Sequence, residues 1–577
     1  MRERLESLIL QTAADLLREA GDDESVRGVT VETPRQSEHG DFATNAAMVL
    51  TRRLHRAPRE IAAALIERVG EGDGLIERAE IAGPGFVNFW LRGGQWHQVL
   101  DRILRAGPAF GTSDEGKQRR VQVEFVSANP TGPLSVGHGR QAILGDCVAR
   151  LLEATGWSVV REYYFNNGGR QMRVLGESVR ARYLERLGLA APPPEDALRD
   201  PELPWPETID GLPIVFPRDG YQGDYIGEIA AAIQEREGRG WVEEAGEGGF
   251  RREAETRIFA DIRRTLDALG IAFDVYFNEN GLYDSGEITR VLEDLRATGL
   301  VYDEDGATWL RASDLGLERD RVIVKRSGEP TYLLPDIAYH REKFSRGFEA
   351  IIDIQGADHK DQGPYVKAGV QALGYDPARI EFLFHEFVTL SSGGHTVKQS
   401  TRKATFITID ELLGEIGADV FRYFMIERRA QSHLDFDLDL AKERDWTRNP
   451  AYLLQYTHAR THGIARQAAE RGIAMPTPDE VDASLLVLPE ERALLKKLGE
   501  FPEVVSRAAA AREPHHVVYY LREVAGLFNP YYQDKDRHEI LTRDAGLTSA
   551  RLGLTLAVRT VMASGLALLG MTAPERM

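Results

Sequence analysis

The chain has 577 residues, of which 42% are hydrophobic and 28% charged, and a formal net charge of −19. That length exceeds a single core and predicts three or four domains. The acidic balance excludes indiscriminate binding to nucleic acid but leaves room for a local basic patch.

Cys147 is the single cysteine. It excludes a disulfide framework and any zinc site built on several thiolates, and it fits a reducing compartment. Residues 1–20 mix charged and apolar positions and do not read as a signal peptide. No apolar run reads as long enough to span a bilayer. A soluble, cytoplasmic protein is therefore expected, with no membrane contact.

Residues 1–108 read as a small α+β unit. Leu5, Leu8, Ile9, Ala13, Leu16 and Leu17 mark one face of a helix. The turn-rich stretch Gly40-Asp41-Phe42-Ala43-Thr44-Asn45 precedes a second helix. A third covers residues 58–69, with Pro58 in the first turn, where its missing N–H is tolerated. Gly83-Pro84-Gly85 leads into a strand, and residues 107–117 read as a linker.

A new unit begins with an apolar strand at 121–126. A loop follows, then a helix carrying Ile143, Leu144, Cys147, Val148, Leu151 and Leu152 that stops at Gly156, then a strand at 157–165. Strand, loop, helix, strand predicts a parallel, doubly wound, Rossmann-like sheet. Clustered prolines and glycines mark an insertion at about 190–260, with a helix near 225–236. The sheet is expected to resume through 273–276, 321–325, 351–354 and 380–384. From about residue 410 the pattern is almost wholly helical, at 449–469, 490–498, 514–528 and 549–569, and predicts an all-α bundle.

The most informative stretch lies between a strand and a helix: Ser127-Ala128-Asn129-Pro130-Thr131-Gly132-Pro133-Leu134-Ser135-Val136-Gly137-His138-Gly139-Arg140. Free N–H groups and partial positive charge at a helix N-terminus suit polyphosphate. Gly137 allows close backbone approach, and His138 can donate a hydrogen bond as negative charge develops. By itself a Gly-His pair would be an ordinary turn. This longer run resembles the first signature of class I aminoacyl-tRNA synthetases in its arginyl-tRNA synthetase form, Ala-Asn-Pro-Thr-Gly-Pro-Leu-His-x-Gly-His. Ser135 stands at the first histidine. The resemblance implies that Ser135 and His138 serve catalysis, and that Ala128, Pro130, Thr131, Gly132, Pro133, Leu134, Val136 and Gly137 line the ATP site.

The resemblance also directs attention to Lys398-Gln399-Ser400-Thr401-Arg402-Lys403. Read alone, such a cluster is a solvated surface face. In the family, a Lys-Met-Ser-Lys-Ser loop occupies this place and closes on the phosphates. Lys398 and Ser400 match it. Gln399 replaces the methionine and Thr401 the second lysine, so Arg402 or Lys403 is expected to supply the missing charge.

A guanidinium is planar and always charged, so a buried site for one needs carboxylates to accept its N–H fork. The resemblance assigns Asp336 and Glu279 to that task, with Tyr332 adding a hydroxyl. It places Asn129 at the amino-acid end of arginine, supported by Glu124, with Gln355 as a further contact. Read alone, Asp336 is a helix N-cap and Glu279 an exposed turn acid. Gly356, Asp358 and His359 are expected at the nucleotide, with His385 beside them. Asn166-Asn167-Gly168-Gly169-Arg170-Gln171 resembles a segment lining the pocket.

The resemblance spans the chain. It implies a class I catalytic domain at 109–445, preceded by a tRNA-contacting domain at 1–108 and followed by a helical anticodon-binding domain at 446–577. The implied activity is ligation of L-arginine to the 3′-terminal ribose of its tRNA through arginyl-adenylate, in protein synthesis. ATP is a substrate and Mg2+ accompanies it. No zinc and no resident metal site are expected, and a monomer is. Two rivals remain at this point: another class I synthetase, and a repurposed relative that charges a small acceptor or only binds RNA.

Overall fold

Five short apolar runs assemble one parallel sheet in the computed structural model, which describes residues 1–34, 36–199, 203–396 and 407–577. The strands are β1 (Arg120–Glu124), β2 (Ser158–Phe165), β3 (Val275–Asn278), β4 (Ala350–Gly356) and β5 (Ile380–His385). Their spatial order is β5-β4-β1-β2-β3, and every neighbouring pair is parallel. The chain direction across the sheet reverses between β1 and β4. In such folds ligands bind beyond the C-terminal ends of the strands at that point. The helix α1 (Val136–Ala154) follows β1, and α2 (Leu333–Ser345) precedes β4. α2 buries Leu333, Leu334, Ile337, Ala338 and Tyr339 in an apolar cluster shared with Ile351 and Ile380.

The residues fall into two compact units. The sheet belongs to the larger, formed by Pro108–Gly463, Phe501–Gly526 and Val561–Met577. The smaller comprises Met1–Gly107, Ile464–Glu500 and Leu527–Thr560. Its four strands run antiparallel in the order Val31–Glu32, Phe42–Thr44, Phe86–Leu91, Ile76–Ala82. The predicted helices at 46–54 and 58–69 are present, together with Gly93–Ala106, which the sequence reading passed over. In the turn-rich segment, Asp41 is buried and accepts from the Leu91 N–H at 2.6 Å, and it pairs with Lys496. The Asn45 side chain accepts from the Thr30 N–H at 2.8 Å. These polar groups serve the fold.

Four expectations need correction. Residues 321–325 do form a strand, Arg321–Val324, but not in the parallel sheet. It pairs antiparallel with Ala307–Leu310, which forms a hairpin with Val301–Glu304. The turn is Asp305-Gly306, both at positive φ (53° and 78°), the conformation a tight hairpin requires. Alternation predicts a strand but does not name its partner. Beyond residue 410 the almost wholly helical pattern is interrupted by a short strand, Leu434–Asp437, which pairs in parallel with Val388–Ser392. The expected linker is held to the end of α1, through Ser113 N–H to Ala154 O at 2.9 Å and Gly116 N–H to Thr155 O at 2.7 Å. Finally, the helix Ala545–Leu568 is long and apolar enough by composition to cross a membrane, contrary to the reading above. Most of it is buried inside the protein, the property of a core helix.

Candidate active site

The backbone leaves β1 through two residues in the left-handed region, Val126 at φ 69° and Ser127 at φ 43°. A β-branched residue there is strained, at a cost of roughly 1–3 kcal/mol, and such strain concentrates at functional sites. Hydrogen bonds hold the turn. Ser127 Oγ donates to Glu124 Oε1 at 2.9 Å and accepts from the Tyr164 N–H at 3.2 Å. The Tyr163 hydroxyl donates to Ala128 O at 2.7 Å. Asn129 is fixed at both ends of its amide: Oδ1 accepts from the Asn166 N–H at 2.9 Å, and Nδ2 donates to Gln171 Oε1 at 3.0 Å. The segment 166–171 thus meets the signature loop directly. Pro130 and Leu134 are buried. From the insertion, Tyr225 donates its hydroxyl to Thr131 O at 2.8 Å, and a Cβ on Gly132 would lie 2.9 Å from that hydroxyl.

Ser135 is the N-cap of α1, and Val136 begins the helix. The Ser135 N–H donates to His138 Nδ1 at 3.1 Å. Burial, with the nearby His385, pushes His138 down to about 4. Gly137 is exposed, and a Cβ there would meet only Ser135 Oγ, at 3.7 Å. Open space beside a free helix N-terminus leaves room for a phosphate. Ser135 also forms an isolated bridge with Thr408, and the Ile409 N–H donates to Leu134 O at 3.0 Å. The lysine-loop candidates Lys398, Ser400, Arg402 and Lys403 lie outside the described residues.

Glu279 and Asp336 form the second half of the site. Glu279 follows β3 and is buried, not an exposed turn acid. The Tyr164 hydroxyl donates to it. Asp336 is not an N-cap: Tyr332 holds that place, and Asp336 lies in the first turn of α2, its N–H bonded to Tyr332 O at 3.2 Å. The Gln362 amide donates to its carboxylate. Burial pushes Asp336 up to about 7, the Glu124 and Glu279 charges add to this, and His340 opposes it. Burial also raises Glu279, against the Tyr164 and Asn166 hydrogen bonds. Tyr283 is pushed up to about 12 by burial and by the same two carboxylates, which places it beside them.

Among the described residues no cation pairs with Glu279 or Asp336. Two desolvated carboxylates without an ion-pair partner favour a cationic ligand, and a guanidinium offers the matching fork. Tyr332, at the head of α2, is 81% exposed. Gln355 makes no hydrogen bond to these carboxylates, whereas Gln362 does. The sequence reading missed Gln362, Tyr164 and Tyr283. Glu124 lies at the end of β1 with its other carboxylate oxygen on Lys343 Nζ, 2.6 Å away.

At the nucleotide end, Gly356 closes β4 opposite His385 in β5. His385 is buried, its Nδ1 donates to Glu386 O at 3.1 Å, and its Nε2 has no partner. Burial lowers its pKa, so that nitrogen is available to a ligand. Asp358 and His359 follow on an exposed turn. Among the described residues one set could hold a metal ion, Glu513, His515 and His516, with ligand atoms within 4.8 Å of one another. Its carboxylate is already paired with Arg429 at 3.0 Å and His516 at 2.8 Å.

Three family models match the chain. The arginyl tRNA synthetase N terminal domain covers residues 3–91, the class I (R) tRNA synthetase catalytic domain covers 100–191 and 233–433, and the DALR anticodon binding domain covers 454–577. An arginine–tRNA ligase from Desulfotalea psychrophila is 49% identical over 551 residues, 95% of this chain and 94% of that protein. One from Salinibacter ruber is 44% identical over 98% of this chain and 99% of its own length. The structure of Thermus thermophilus arginyl-tRNA synthetase, 24% identical, shares the fold over the whole of both chains with a TM-score of 0.74. The matches span N-terminal, catalytic and C-terminal regions alike, and the chain belongs to the arginyl-tRNA synthetase family of class I.

Proposed function

We propose that the chain is an arginine–tRNA ligase: it activates L-arginine with ATP and transfers the arginyl group to the 3′-terminal ribose of its tRNA. The observation that carries the reading is the pair of carboxylates, buried Glu279 and half-buried Asp336, which form no ion pair among the described residues. Asn129, Glu124 and Gln362 surround the amino-acid site, with Tyr332 at its mouth. The arginine carboxylate attacks the α-phosphate, and pyrophosphate leaves. His138 donates from Nε2 to the phosphates at the N-terminus of α1, while Gly356, His385, Asp358 and His359 face the nucleoside. Lys398, Ser400, Arg402 and Lys403 are assigned to the departing pyrophosphate. Positioning and charge stabilisation carry this step, with no covalent enzyme intermediate.

The reading includes Mg2+ accompanying ATP and held mainly by its phosphates, no thiolate zinc site, a monomer, and a cytoplasmic location away from membranes. It assigns tRNA contacts to 1–108 and anticodon binding to 446–577. Arginine-dependent ATP–pyrophosphate exchange, measured with and without tRNA, tests it. Exchange driven by arginine but not by lysine or citrulline is expected. No exchange under either condition refutes it.

A further inference from the structure

We propose that Lys343 is a positioning residue for arginine activation: it keeps Glu124 a carboxylate at the amino-acid end of the site and ties α2, which carries Asp336, to β1 and β4. The proposal rests on the activity above. Lys343 is 0% exposed. A lysine in the interior is costly unless its ammonium is matched, and here it is. Nζ donates to Glu124 Oε2 at 2.6 Å and to Asp353 Oδ1 at 2.7 Å, and lies 4.2 Å from the centre of the Tyr339 ring.

The network reaches both halves of the site. Through Glu124 it touches Ser127 and the strained turn that begins the signature loop. Through Asp353 it reaches His340, whose Nε2 donates to the second carboxylate oxygen at 2.8 Å. His340 Nδ1 donates to Asp336 O, also at 2.8 Å. Tyr339 and Arg346 extend the set to Glu162 in β2, the latter at 2.9 Å. Tyr339, His340 and Lys343 fall on one face of α2, and Arg346 follows at the C-terminal cap at the same spacing.

The charge on Lys343 matters as well as its bulk. Burial pushes Lys343 down, but the Asp353 and Glu124 charges outweigh it and keep it protonated. Burial pushes Glu124 up, with Asp353 and Glu162 adding, and Lys343 is the cation that opposes them. The charged and titratable groups around Glu124 are Lys343, Tyr339 and Asp336 from α2, Asp353 from β4, and Glu162 and Tyr164 from β2. The net effect leaves Glu124 above the usual carboxylate range, and without Lys343 the balance moves further toward a proton. The ammonium group of arginine would then meet a neutral acid.

Lys343→Met keeps the length of the side chain and removes the charge. Pyrophosphate exchange should show the arginine KM about tenfold higher or more near neutrality, the ATP KM changed less than about threefold, and the arginine KM falling toward the wild-type value as the pH is raised and Glu124 ionises. Glu124→Gln, with Lys343 still paired to Asp353, should match the neutral-pH increase and show no recovery at high pH. Unchanged arginine KM in Lys343→Met, or equal rises in both KM values without recovery, overturns the proposal. If Lys343→Met does not fold, unchanged arginine KM in Glu124→Gln overturns it. Wild-type enzyme inactive with arginine fails the activity reading instead, a separate outcome.

Discussion

The backbone N–H of Ser135 donates to Nδ1 of His138 at 3.1 Å, and Ser135 Oγ lies 3.1 Å from the same nitrogen. With Nδ1 accepting, the proton of the neutral ring resides on Nε2. Because burial and His385 hold His138 down to about 4, the ring is a neutral donor throughout the physiological range. His138→Asn should lower kcat for exchange by roughly 10²–10³, the usual loss for one transition-state donor. Ser135→Ala keeps the backbone N–H that sets the tautomer and should cost less than about threefold. An inflection near pH 6.5 in the wild-type rate that disappears in His138→Asn would contradict a neutral histidine.

Asp336 supplies a pH dependence for arginine binding. Its carboxyl is held up at about 7, above its unfolded value, so the folded protein keeps a proton there below about pH 7, and ionising the group as pH rises costs stability. A bound guanidinium reverses that preference. Below about pH 7, arginine must expel the proton, and its KM should rise up to about tenfold per pH unit of acidification; above that pH it should level off. Saturating arginine should raise the Tm more at about pH 8 than at about pH 6. Asp336→Asn should raise the arginine KM steeply with the fold intact and abolish the pH trend. A retained trend would move the titration to another group.

Tyr225 donates to Thr131 O at 2.8 Å and is the hydrogen bond by which the insertion reaches the signature loop. Tyr225→Phe keeps the packing and loses the donor, leaving a loop carbonyl unpaired, at a cost of about 1–3 kcal/mol. The ATP KM should rise about threefold to tenfold and the arginine KM stay within about twofold. The reverse pattern in steady-state exchange would show that the contact serves the amino acid.

Arg422 is a purely structural test. Its guanidinium is 1% exposed, donates to Leu569 O and Leu269 O at 2.8 Å each, and pairs with Asp146. Arg422→Met leaves Leu269 O without its donor, Leu569 O with the Cys147 thiol at 3.5 Å, and Asp146 with Arg150 at 2.7 Å and Arg161 at 3.8 Å. A loss of about 3–5 kcal/mol is expected, read from denaturant unfolding. A loss below about 1 kcal/mol would mean that Arg150, Arg161 and water compensate.

What could be read from the sequence follows from how local each feature is. The strands at 121–124 and 158–165 and the helix between them are set by contiguous apolar residues and a stop at Gly156. The signature loop carries a long run of specific residues. The strand at 321–324 was legible as a strand, but its partner, Ala307–Leu310, lies 11 or more residues back across the loop 311–320, and no local pattern names it. Lys343 was invisible because a lysine in a helix reads as solvated; only the fold brings Glu124 and Asp353 onto it. Gln362 was missed in favour of Gln355 because Gln355 lies near the end of β4 and Gln362 only a few residues beyond it, and only the start of the helix Gly363–Ala372 turns Gln362 toward Asp336.

The bridge between Thr408 and Ser135 fixes one end of the segment that carries the lysine-loop residues, and the pairing of Ser391 with Thr396 fixes the other. Because Ser135 also caps α1, that end of the segment shares a residue with the helix N-terminus, and a change at either place is felt at the other.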